Sequence, residues 1–330
     1  MRDYILVGCK SFWQIESASD ILKGEFRAMG WERFSYLDPD FKIRFYDQET
    51  TAIVLSDQLC GAEQMDPYPN LKTIARIGTG YDNVGMEHAK KRGIIVTRIS
   101  DVSAEPVSEY ALGLILSLCR NINESSHCLL AGNWERGQGL MLSELNIGII
   151  GLGAIGLALA KKLHLLGVKK ISGWNRTTRT SVTAASCNYN KLVELSDLMR
   201  ESDVVALCLA LNEGTKGIIS KEMISLMKPT AFLVNVARGA LVDEEALLEA
   251  LENKKIAGAA LDVFSKEPPL DEKFFQRLQE LSLARGNIIL TPHMANRTAN
   301  LLERACVKAA QNVVAVLDGR LEGLDIVNYL

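Results

Sequence analysis

The chain has 330 residues, of which 48% are hydrophobic and 23% are charged. This length and composition predict a globular protein with two domains and well-buried cores. Its 37 basic and 40 acidic residues give a formal net charge of -3, so nucleic acid and anionic membranes are not expected partners. No apolar run reaches the length of a membrane span, and the start of the chain resembles a first strand more than a signal peptide. We therefore expect a cytoplasmic protein.

Strand and helix patterns alternate along almost the whole chain, which predicts parallel sheets covered by helices. The first apolar runs predict strands at residues 4–8, 52–55, 73–76 and 94–96. Residues 106–120 are apolar on nearly every face and predict a buried helix that joins two domains. The later runs predict strands at residues 146–150, 170–174, 203–209, 231–236, 257–261 and 287–290. A helical pattern follows at residues 298–317.

The seven cysteines do not indicate a disulfide framework or a metal site. They include no CxxC pair, and most lie within apolar runs. We therefore expect buried free thiols and no bound metal. The cysteines are Cys9, Cys60, Cys119, Cys128, Cys187, Cys208 and Cys306.

A glycine-rich turn, Gly151-Leu152-Gly153-Ala154-Ile155-Gly156, lies between a predicted strand and a predicted helix at residues 157–166. In that setting the first glycine permits a tight turn and the second lets a pyrophosphate approach the backbone. The third allows close packing of the helix, whose N-terminus favours negative charge. The turn therefore predicts dinucleotide binding, with a chance glycine-rich turn as the alternative.

The segment after the next strand predicts which dinucleotide is bound. An NAD-binding domain usually places a carboxylate there, about twenty residues after the turn. This chain instead has Asn175, Arg176, Thr177 and Arg179, whose guanidinium and hydroxyl groups can hold a 2'-phosphate. We expect NADP(H) to be preferred, with NAD(H) possible. The alternative is a solvated basic loop.

Three residues further along predict hydride transfer to a small carboxylate: Arg238, Glu267 and His293, each of which follows an apolar run. A hydride adds to a keto carbon only if the carbonyl oxygen receives a proton, which His293 can supply. Arg238 can hold a substrate carboxylate in a fork. The alternatives are a structural histidine and a surface ion pair between Arg238 and Glu267. The other histidines lie on polar or mixed helical stretches, where surface positions are expected.

The chain resembles the D-isomer-specific 2-hydroxyacid dehydrogenases, most of all the branch of phosphoglycerate, glycerate/hydroxypyruvate and glyoxylate enzymes. The matching segments, besides the glycine turn, are RIGTGYDNV at 76–84, PVSE at 106–109, NVARGALVD at 235–243, LDVFSKEPP at 261–269 and TPHMA at 291–295. The resemblance implies an α/β fold with two Rossmann-like domains and parallel sheets. The cofactor domain, residues 99–297, would be inserted into a smaller flavodoxin-like substrate domain of residues 1–98 plus 298–330.

The resemblance also assigns expected roles to single residues. Glu267 would orient the imidazole and stabilise its protonated form, which would raise the histidine pKa. Arg76, Gly78, Thr79 and Gly80 would meet the substrate carboxylate together with Arg238, although Arg76 could be a structural ion-pair partner. Asp262 would face the nicotinamide carboxamide, or else be a cap or turn residue. The remaining expected cofactor contacts are Leu209, Val236, Ala237, His293 and Ala295.

Two departures from the family pattern shape the functional prediction. Asn296 stands where a small residue often follows the histidine motif, so we expect a tighter or more polar pocket near His293. The usual ribose carboxylate is missing, which weakens the interpretation as an NAD-linked phosphoglycerate dehydrogenase. We expect an NADPH-dependent reductase of glyoxylate, hydroxypyruvate or a similar 2-keto acid. The alternatives are a D-3-phosphoglycerate dehydrogenase and, in another class, a nucleotide-sensing corepressor or scaffold on the same fold. We also expect a homodimer through residues 129–142, which include Trp134, Leu140 and Met141, unless these form a lid or a core contact.

Overall fold

The computed structural model describes residues 4–8, 12, 14–25, 27–29, 49–56, 58–100, 102–176 and 191–328. The chain folds into two compact units. The first unit comprises Met1–Ser103 and Arg297–Leu330, and the second comprises Ala104–Asn296. None of the described helices is both long and apolar enough to cross a membrane.

The described residues form two sheets, and every strand pairing within them is parallel. The strands are β1 (Tyr4–Val7), β2 (Arg27–Met29), β3 (Thr50–Leu55), β4 (Thr73–Arg76), β5 (Ile95–Thr97), β6 (Asn146–Ile150), β7 (Lys170–Trp174), β8 (Lys191–Leu192), β9 (Val204–Leu207), β10 (Phe232–Asn235), β11 (Gly258–Leu261) and β12 (Ile288–Leu290). The helices are α1 (Glu16–Glu25), α2 (Ala62–Met65), α3 (Met86–Lys91), α4 (Ala104–Cys119), α5 (Ile122–Leu130), α6 (Ala154–Leu165), α7 (Leu195–Glu201), α8 (Lys221–Ser225), α9 (Glu244–Glu252), α10 (Lys273–Arg285) and α11 (Ala299–Leu317).

The first unit is built on a five-stranded sheet in the order β2-β1-β3-β4-β5, the strand order of flavodoxin-like folds. Side chains alternate between its two faces, as the geometry of a strand requires. Ile5 packs on one side with residues of α1 and α11, and Leu6 packs on the other side with Met65 and Tyr68. Both faces are therefore buried, which explains why the sequence shows continuous apolar runs rather than an alternating pattern.

The second unit is built on a seven-stranded sheet in the order β12-β11-β10-β9-β6-β7-β8. This is the order of a dinucleotide-binding domain with one further strand. Helices α4 and α6 cover one face, and α7, α8, α9 and α10 cover the other. The strand order reverses between β6 and β9, and ligands of such sheets bind beyond the carboxyl ends of the strands at that point. The predicted α/β class with two parallel sheets is confirmed.

The predicted buried helix at residues 106–120 is α4, which begins two residues earlier, at the first residue of the second unit. Pro106 lies in its first turn, where the missing N–H removes no intrahelical hydrogen bond. Helix α4 packs against α6 and the sheet through an apolar face. Lys162 of α6 forms an ion pair with Glu105 of α4 and donates a hydrogen bond to the Ser108 hydroxyl at 2.9 Å. These polar contacts join α4 and α6 beside their apolar interface.

The described cysteines are free thiols, but the prediction that they are buried is only partly correct. Cys60, Cys119 and Cys306 are buried, whereas Cys128 and Cys208 are partly exposed. Cys128 lies near the end of α5, which has no buried residue, and Cys208 follows the end of β9. Cys9 and Cys187 lie outside the described residues.

Candidate active site

The predicted catalytic and cofactor-binding residues of the second unit follow the ends of six strands of one parallel sheet. Because the carboxyl ends of parallel strands share one edge, the fold gathers these residues there. They are the glycine turn 151–156 after β6, Asn175 and Arg176 after β7, Leu209 after β9, Val236, Ala237 and Arg238 after β10, Asp262 and Glu267 after β11, and His293 and Ala295 after β12.

The glycine turn packs closely at two of its glycines and leaves open space at the middle one. Gly151 has a φ of +101°, and a Cβ there would lie 2.7 Å from the carbonyl of Cys208. A Cβ at Gly156 would lie 2.0 Å from the carbonyl oxygen of Gly151. Gly153 is exposed, and a Cβ there would meet no described atom within 4 Å. Two glycines thus allow close backbone packing, while the middle one leaves open space before α6, where Ala154 and Ile155 begin the helix.

Arg176, which follows the end of β7, lies beside the loop that follows β9. Arg176 is exposed, and its Nη1 atom would lie 3.4 Å from a Cβ built on Gly214. The amide of Gly214 donates to Oδ1 of Asn212 at 3.0 Å, which shapes the loop beside the guanidinium. Arg176 therefore lies at the same sheet edge as the glycine turn. The predicted contacts Thr177 and Arg179 lie outside the described residues.

The structure brings two of the three predicted catalytic residues into direct contact. Nδ1 of His293 lies 2.7 Å from Oε2 of Glu267. The other carboxylate oxygen, Oε1, accepts a hydrogen bond from the amide of Phe264 at 3.0 Å. Both oxygens of Glu267 are therefore engaged, which fixes the direction from which the carboxylate approaches the imidazole.

The surroundings of Glu267 favour its ionised form. Partial burial is the largest single influence, and by itself it would raise the pKa of the carboxyl. The hydrogen bond and charge of His293, the Phe264 amide and the charge of Arg238 together outweigh it, so the pKa of Glu267 lies below its usual value. The charge of Arg238 therefore acts on the same carboxylate that His293 contacts.

Arg238 sits on a turn that the side chain of Asn235 holds together. The buried Asn235 donates from Nδ2 to the carbonyl of Arg238 at 2.9 Å and accepts from the amide of Ala237 at 3.0 Å. The turn packs directly on the segment that leads to Glu267, since a Cβ at Gly239 would lie 1.9 Å from the carbonyl carbon of Phe264. Backbone contact thus fixes the turn of Arg238 against the loop of Glu267.

His293 lies on a loop that is built around Asp262. The histidine has a φ of +52°. This backbone conformation costs free energy, and it persists because contacts with the surrounding residues offset the cost. Its amide donates to the Asp262 carbonyl at 2.8 Å. The fully buried Asp262 carboxylate accepts from Met294 N at 2.8 Å and Thr291 Oγ1 at 2.6 Å through Oδ1, and from Ala295 N at 2.9 Å through Oδ2. These contacts fit the alternative considered for Asp262, a turn residue.

Several residues that support the site were not predicted. Glu244, in the first turn of α9, accepts from the amide of Ser265 at 2.7 Å, and its own burial raises the pKa of its carboxyl. Tyr110 on α4 lies close to Thr291 and Asp262, and desolvation is the main cause that raises the pKa of this tyrosine. Both contacts join segments that are far apart in the chain. The sequence contains no signal for either, beyond Thr291 belonging to the histidine motif.

The predicted substrate-binding residues of the first unit lie at the end of β4 and in the loop that follows it. Arg76 is buried and donates from Nε to the carbonyl of Gly80 at 2.7 Å. Gly78 has a φ of +141°, which favours glycine, and its carbonyl accepts from the amide of Ile99 at 3.0 Å. The hydroxyl of Thr79 donates to the Ile99 carbonyl at 3.2 Å. The loop is thus tied to the segment that follows β5.

The sequence pattern of the D-isomer specific 2-hydroxyacid dehydrogenase NAD-binding domain matches residues 112–295. A glyoxylate reductase from Thermofilum pendens is 36% identical over 281 residues, which are 83% of this chain and 80% of that protein. A D-3-phosphoglycerate dehydrogenase from Methanocaldococcus jannaschii is 38% identical over 253 residues, which are 76% of this chain and 46% of that protein. Relatives of this chain therefore carry the names of both enzymes that the sequence suggested.

Two solved structures share the fold over 99% of this chain. A D-lactate dehydrogenase from Aquifex aeolicus, complexed with NAD and lactic acid, matches with a TM-score of 0.86 at 26% identity, over 100% of its chain. An NADPH-dependent glyoxylate/hydroxypyruvate reductase from Sinorhizobium meliloti, in complex with NADP and malonate, matches with a TM-score of 0.83 at 29% identity, over 97% of its chain. The present chain belongs to the D-isomer specific 2-hydroxyacid dehydrogenase family and is a nicotinamide-dependent, hydride-transferring oxidoreductase.

Proposed function

We propose that this protein is an NADPH-dependent reductase of glyoxylate, hydroxypyruvate or a similar unphosphorylated 2-keto acid. The observation that carries the proposal is the contact between His293 and Glu267, with Arg238 acting on the same carboxylate. A proton donor and a carboxylate-binding cation at one sheet edge are the groups that reduction of a 2-keto acid requires.

The chemistry of Arg238, Glu267 and His293 assigns each side chain a different role in the proposed reaction. When bound, the reduced nicotinamide supplies the hydride. Glu267 accepts the Nδ1 proton of His293 in a hydrogen bond, so Nε2 is the atom that donates a proton to the substrate oxygen. Arg238 binds the substrate carboxylate and stabilises the negative charge that develops beside it. We also propose that the substrate carboxylate is bound by residues of the first unit, namely Arg76, Gly78, Thr79 and Gly80.

The cofactor part of the proposal concerns the turn and the ribose segment. The open space at Gly153 and the N-terminus of α6 fit a pyrophosphate, so the turn would hold it through backbone amides. Arg176, with Thr177 and Arg179, would hold a 2'-phosphate, because this segment has two cations and no carboxylate. We therefore propose that NADPH is preferred to NADH. Backbone contacts from Leu209, Val236 and Ala237 to the cofactor belong to the same proposal, with His293 and Ala295 beside the nicotinamide. The carboxylate of Asp262 holds the loop of His293 instead.

A D-3-phosphoglycerate dehydrogenase is the second candidate. One relative at 38% identity carries that name, although the match covers 46% of its length. The acid that this enzyme oxidises carries a phosphate besides its carboxylate, so its site would need cations beyond Arg238. The absence of a ribose carboxylate in this sequence argues against an NAD-linked enzyme. We therefore place this activity second.

We further propose that the chain forms a homodimer. Helix α5 and the segment after it expose large apolar side chains, including Leu129, Leu130, Trp134 and Met141, and Trp134 is 77% exposed. Apolar side chains exposed together in this way favour burial against another surface. A self-complementary contact with a second copy, related by a two-fold axis, would bury them. Light scattering tests the homodimer, and a monomer at micromolar concentration would contradict it.

The cytoplasmic location of the protein remains a prediction.

Steady-state kinetics test the main proposal. NADPH and NADH oxidation would be measured with glyoxylate, hydroxypyruvate, pyruvate, longer 2-keto acids and phosphohydroxypyruvate. We expect rapid NADPH-linked turnover of an unphosphorylated acid, which is lost in His293→Ala and retained in His164→Ala, a change at an exposed histidine of the same unit. NADH-linked turnover confined to phosphohydroxypyruvate would overturn both the substrate and the cofactor proposals.

A further inference from the structure

In the first unit, the segment Asp325–Asn328 runs antiparallel along the edge strand β5. Thr97 pairs with Ile326, and the amide of Arg98 donates to the Asp325 carbonyl at 3.0 Å. The side chain of Asn328 accepts from the amide of Val96 at 2.8 Å and donates to the carbonyl of Ile94 at 2.6 Å. The segment therefore satisfies backbone groups that an edge strand would otherwise expose.

The carboxylate of Asp325 accepts hydrogen bonds from two residues that follow β5, Arg98 and Ser100. Nε of Arg98 lies 3.1 Å from Oδ1 and 3.0 Å from Oδ2 of Asp325, and the hydroxyl of Ser100 donates to the same carboxylate. The guanidinium of Arg98 also lies over the ring of Tyr81, with its central carbon 5.5 Å from the ring centroid. Arg98 therefore connects Asp325 to the end of the Gly78–Tyr81 loop through a charged hydrogen bond and a cation–π contact.

The neighbour of Arg98 holds the other end of that loop. The amide of Ile99 donates to the carbonyl of Gly78 at 3.0 Å, and the Ile99 carbonyl accepts from the hydroxyl of Thr79 at 3.2 Å. Gly78 has a positive φ and no side chain, so its own backbone preferences restrict the loop little. The conformation of the loop therefore depends on its contacts with neighbouring segments. Asp325 fixes Arg98, and Arg98 and Ile99 together contact the loop at Gly78, Thr79 and Tyr81.

We propose that Asp325 is a positioning residue for substrate binding, which acts through Arg98 and Ile99 on the Gly78–Tyr81 loop. This inference rests on the proposed function, in which the loop binds the substrate carboxylate. Asp325 itself does not contact substrate in this proposal. A merely structural role, closure of the sheet edge, would change thermal stability but not the affinity for one ligand over another.

Kinetics of Asp325→Asn test the proposal, with Asp318→Asn as the matched control. Asp318 pairs with Arg320 at 2.7 Å on the surface of the same unit. We expect Asp325→Asn to raise the KM for the 2-keto acid about tenfold. This effect is smaller than the roughly hundredfold loss of activity that a 1 Å displacement of a positioning group can cause. The KM for NADPH and kcat should stay within about twofold, because the lost interaction is made equally before and during the reaction. Asp318→Asn should change none of these constants. An unchanged substrate KM in Asp325→Asn would overturn the proposal.

Hydrogen–deuterium exchange separates this inference from the proposed function. We expect faster exchange in peptides containing Gly78–Tyr81 and Ile99 in Asp325→Asn, but not in Asp318→Asn. A wild-type protein inactive on every 2-keto acid would contradict the proposed function, while exchange would still test the link from Asp325 to the loop. Unchanged exchange would overturn that link. If Asp325→Asn does not fold, Arg98→Lys tests the same link, because lysine keeps the charge but loses the planar fork.

Discussion

Oε2 of Glu267 lies 2.7 Å from Nδ1 of His293, although 26 positions separate the two residues along the chain. The carboxylate comes from the loop after β11 and the imidazole from the loop after β12, two strands that pair in the sheet. Parallel pairing of β11 with β12 thus places the two loops side by side. In the proposed mechanism this contact selects the tautomer of His293 and stabilises its charged form.

Replacement of Glu267 by glutamine should move the pH dependence of reduction. Glutamine removes the negative charge beside His293, so the imidazolium loses stabilisation and gives up its proton at lower pH. Because the pair is partly exposed, we expect the midpoint of the fall in kcat/KM with rising pH to shift downwards by up to about one unit. The measurement is kcat/KM from pH 5 to 9, with Glu280→Gln, at an exposed position of α10, as the control. An unmoved midpoint would show that Glu267 does not act on the charge of His293.

The lowered pKa of Glu267 also predicts how stability depends on acidity. An unfolded chain protonates a glutamate near its ordinary value of about 4.3, whereas the folded protein holds the proton less tightly. The ionised carboxylate therefore contributes stability above that value, and the contribution is lost as the pH falls through the lower folded pKa. Urea unfolding should show wild type more stable than Glu267→Gln at pH 6, with a smaller difference at pH 3.5. A difference that grows on acidification would contradict this sign.

The sequence predicted the α/β fold with two parallel sheets because alternating strands and helices leave local signals in it. Apolar runs bounded by polar residues placed β4, β6 and β7 at the residues where the structure has them. The other predicted strands differed from the observed ones by up to two residues at an end. Strand β9 ends two residues before its predicted end, because Cys208 and Leu209 pack against the turn of Gly151, whereas β3 begins two residues earlier than predicted. The short strands β2 and β8 were not predicted.

The contacts that support the site could not be predicted, because they join distant segments through backbone atoms. The hydrogen bonds of Asp262 to the loop of His293 span about thirty positions and use amides that every residue possesses. The clash that any side chain at Gly239 would make with Phe264 depends on how two loops approach each other in the folded protein. The residue pattern of the sequence therefore indicates candidate reacting groups, and the structure shows which contacts hold them in place.

Gly239→Ala should destabilise the protein and displace the site. The new Cβ would lie 1.9 Å from the carbonyl carbon of Phe264 and 2.2 Å from the amide nitrogen of Ser265, so backbone must move. Overpacking of this kind costs about 1–3 kcal/mol. We expect a lower Tm and a lower kcat, because the loop of Glu267 moves with Phe264. Gly113→Ala is the control, since Gly113 lies exposed in α4 with no described neighbour within 4 Å of its Cβ position, and it should be neutral or stabilising by about 0.5–1 kcal/mol.

Asp262→Asn tests whether this carboxylate serves the loop or the cofactor. Asparagine has one acceptor oxygen, which can serve Thr291 and Met294, while its amide nitrogen would face the amide of Ala295. A buried donor left without a partner costs about 1–3 kcal/mol, so the urea midpoint should fall. The loop of His293, held at a positive φ, should relax, and kcat should fall with it.

The control for this change is Asp243→Asn. Asp243 caps α9 by accepting from the amide of Ala246 at 3.0 Å, and asparagine caps a helix equally well, so stability should stay within a few tenths of a kcal/mol. The two roles of Asp262 predict different results for its own variant. A carboxylate that holds the loop gives lower stability and lower kcat when it is replaced. One that binds the nicotinamide carboxamide instead gives an unchanged urea midpoint and a raised KM for NADPH, and that result would contradict the loop assignment.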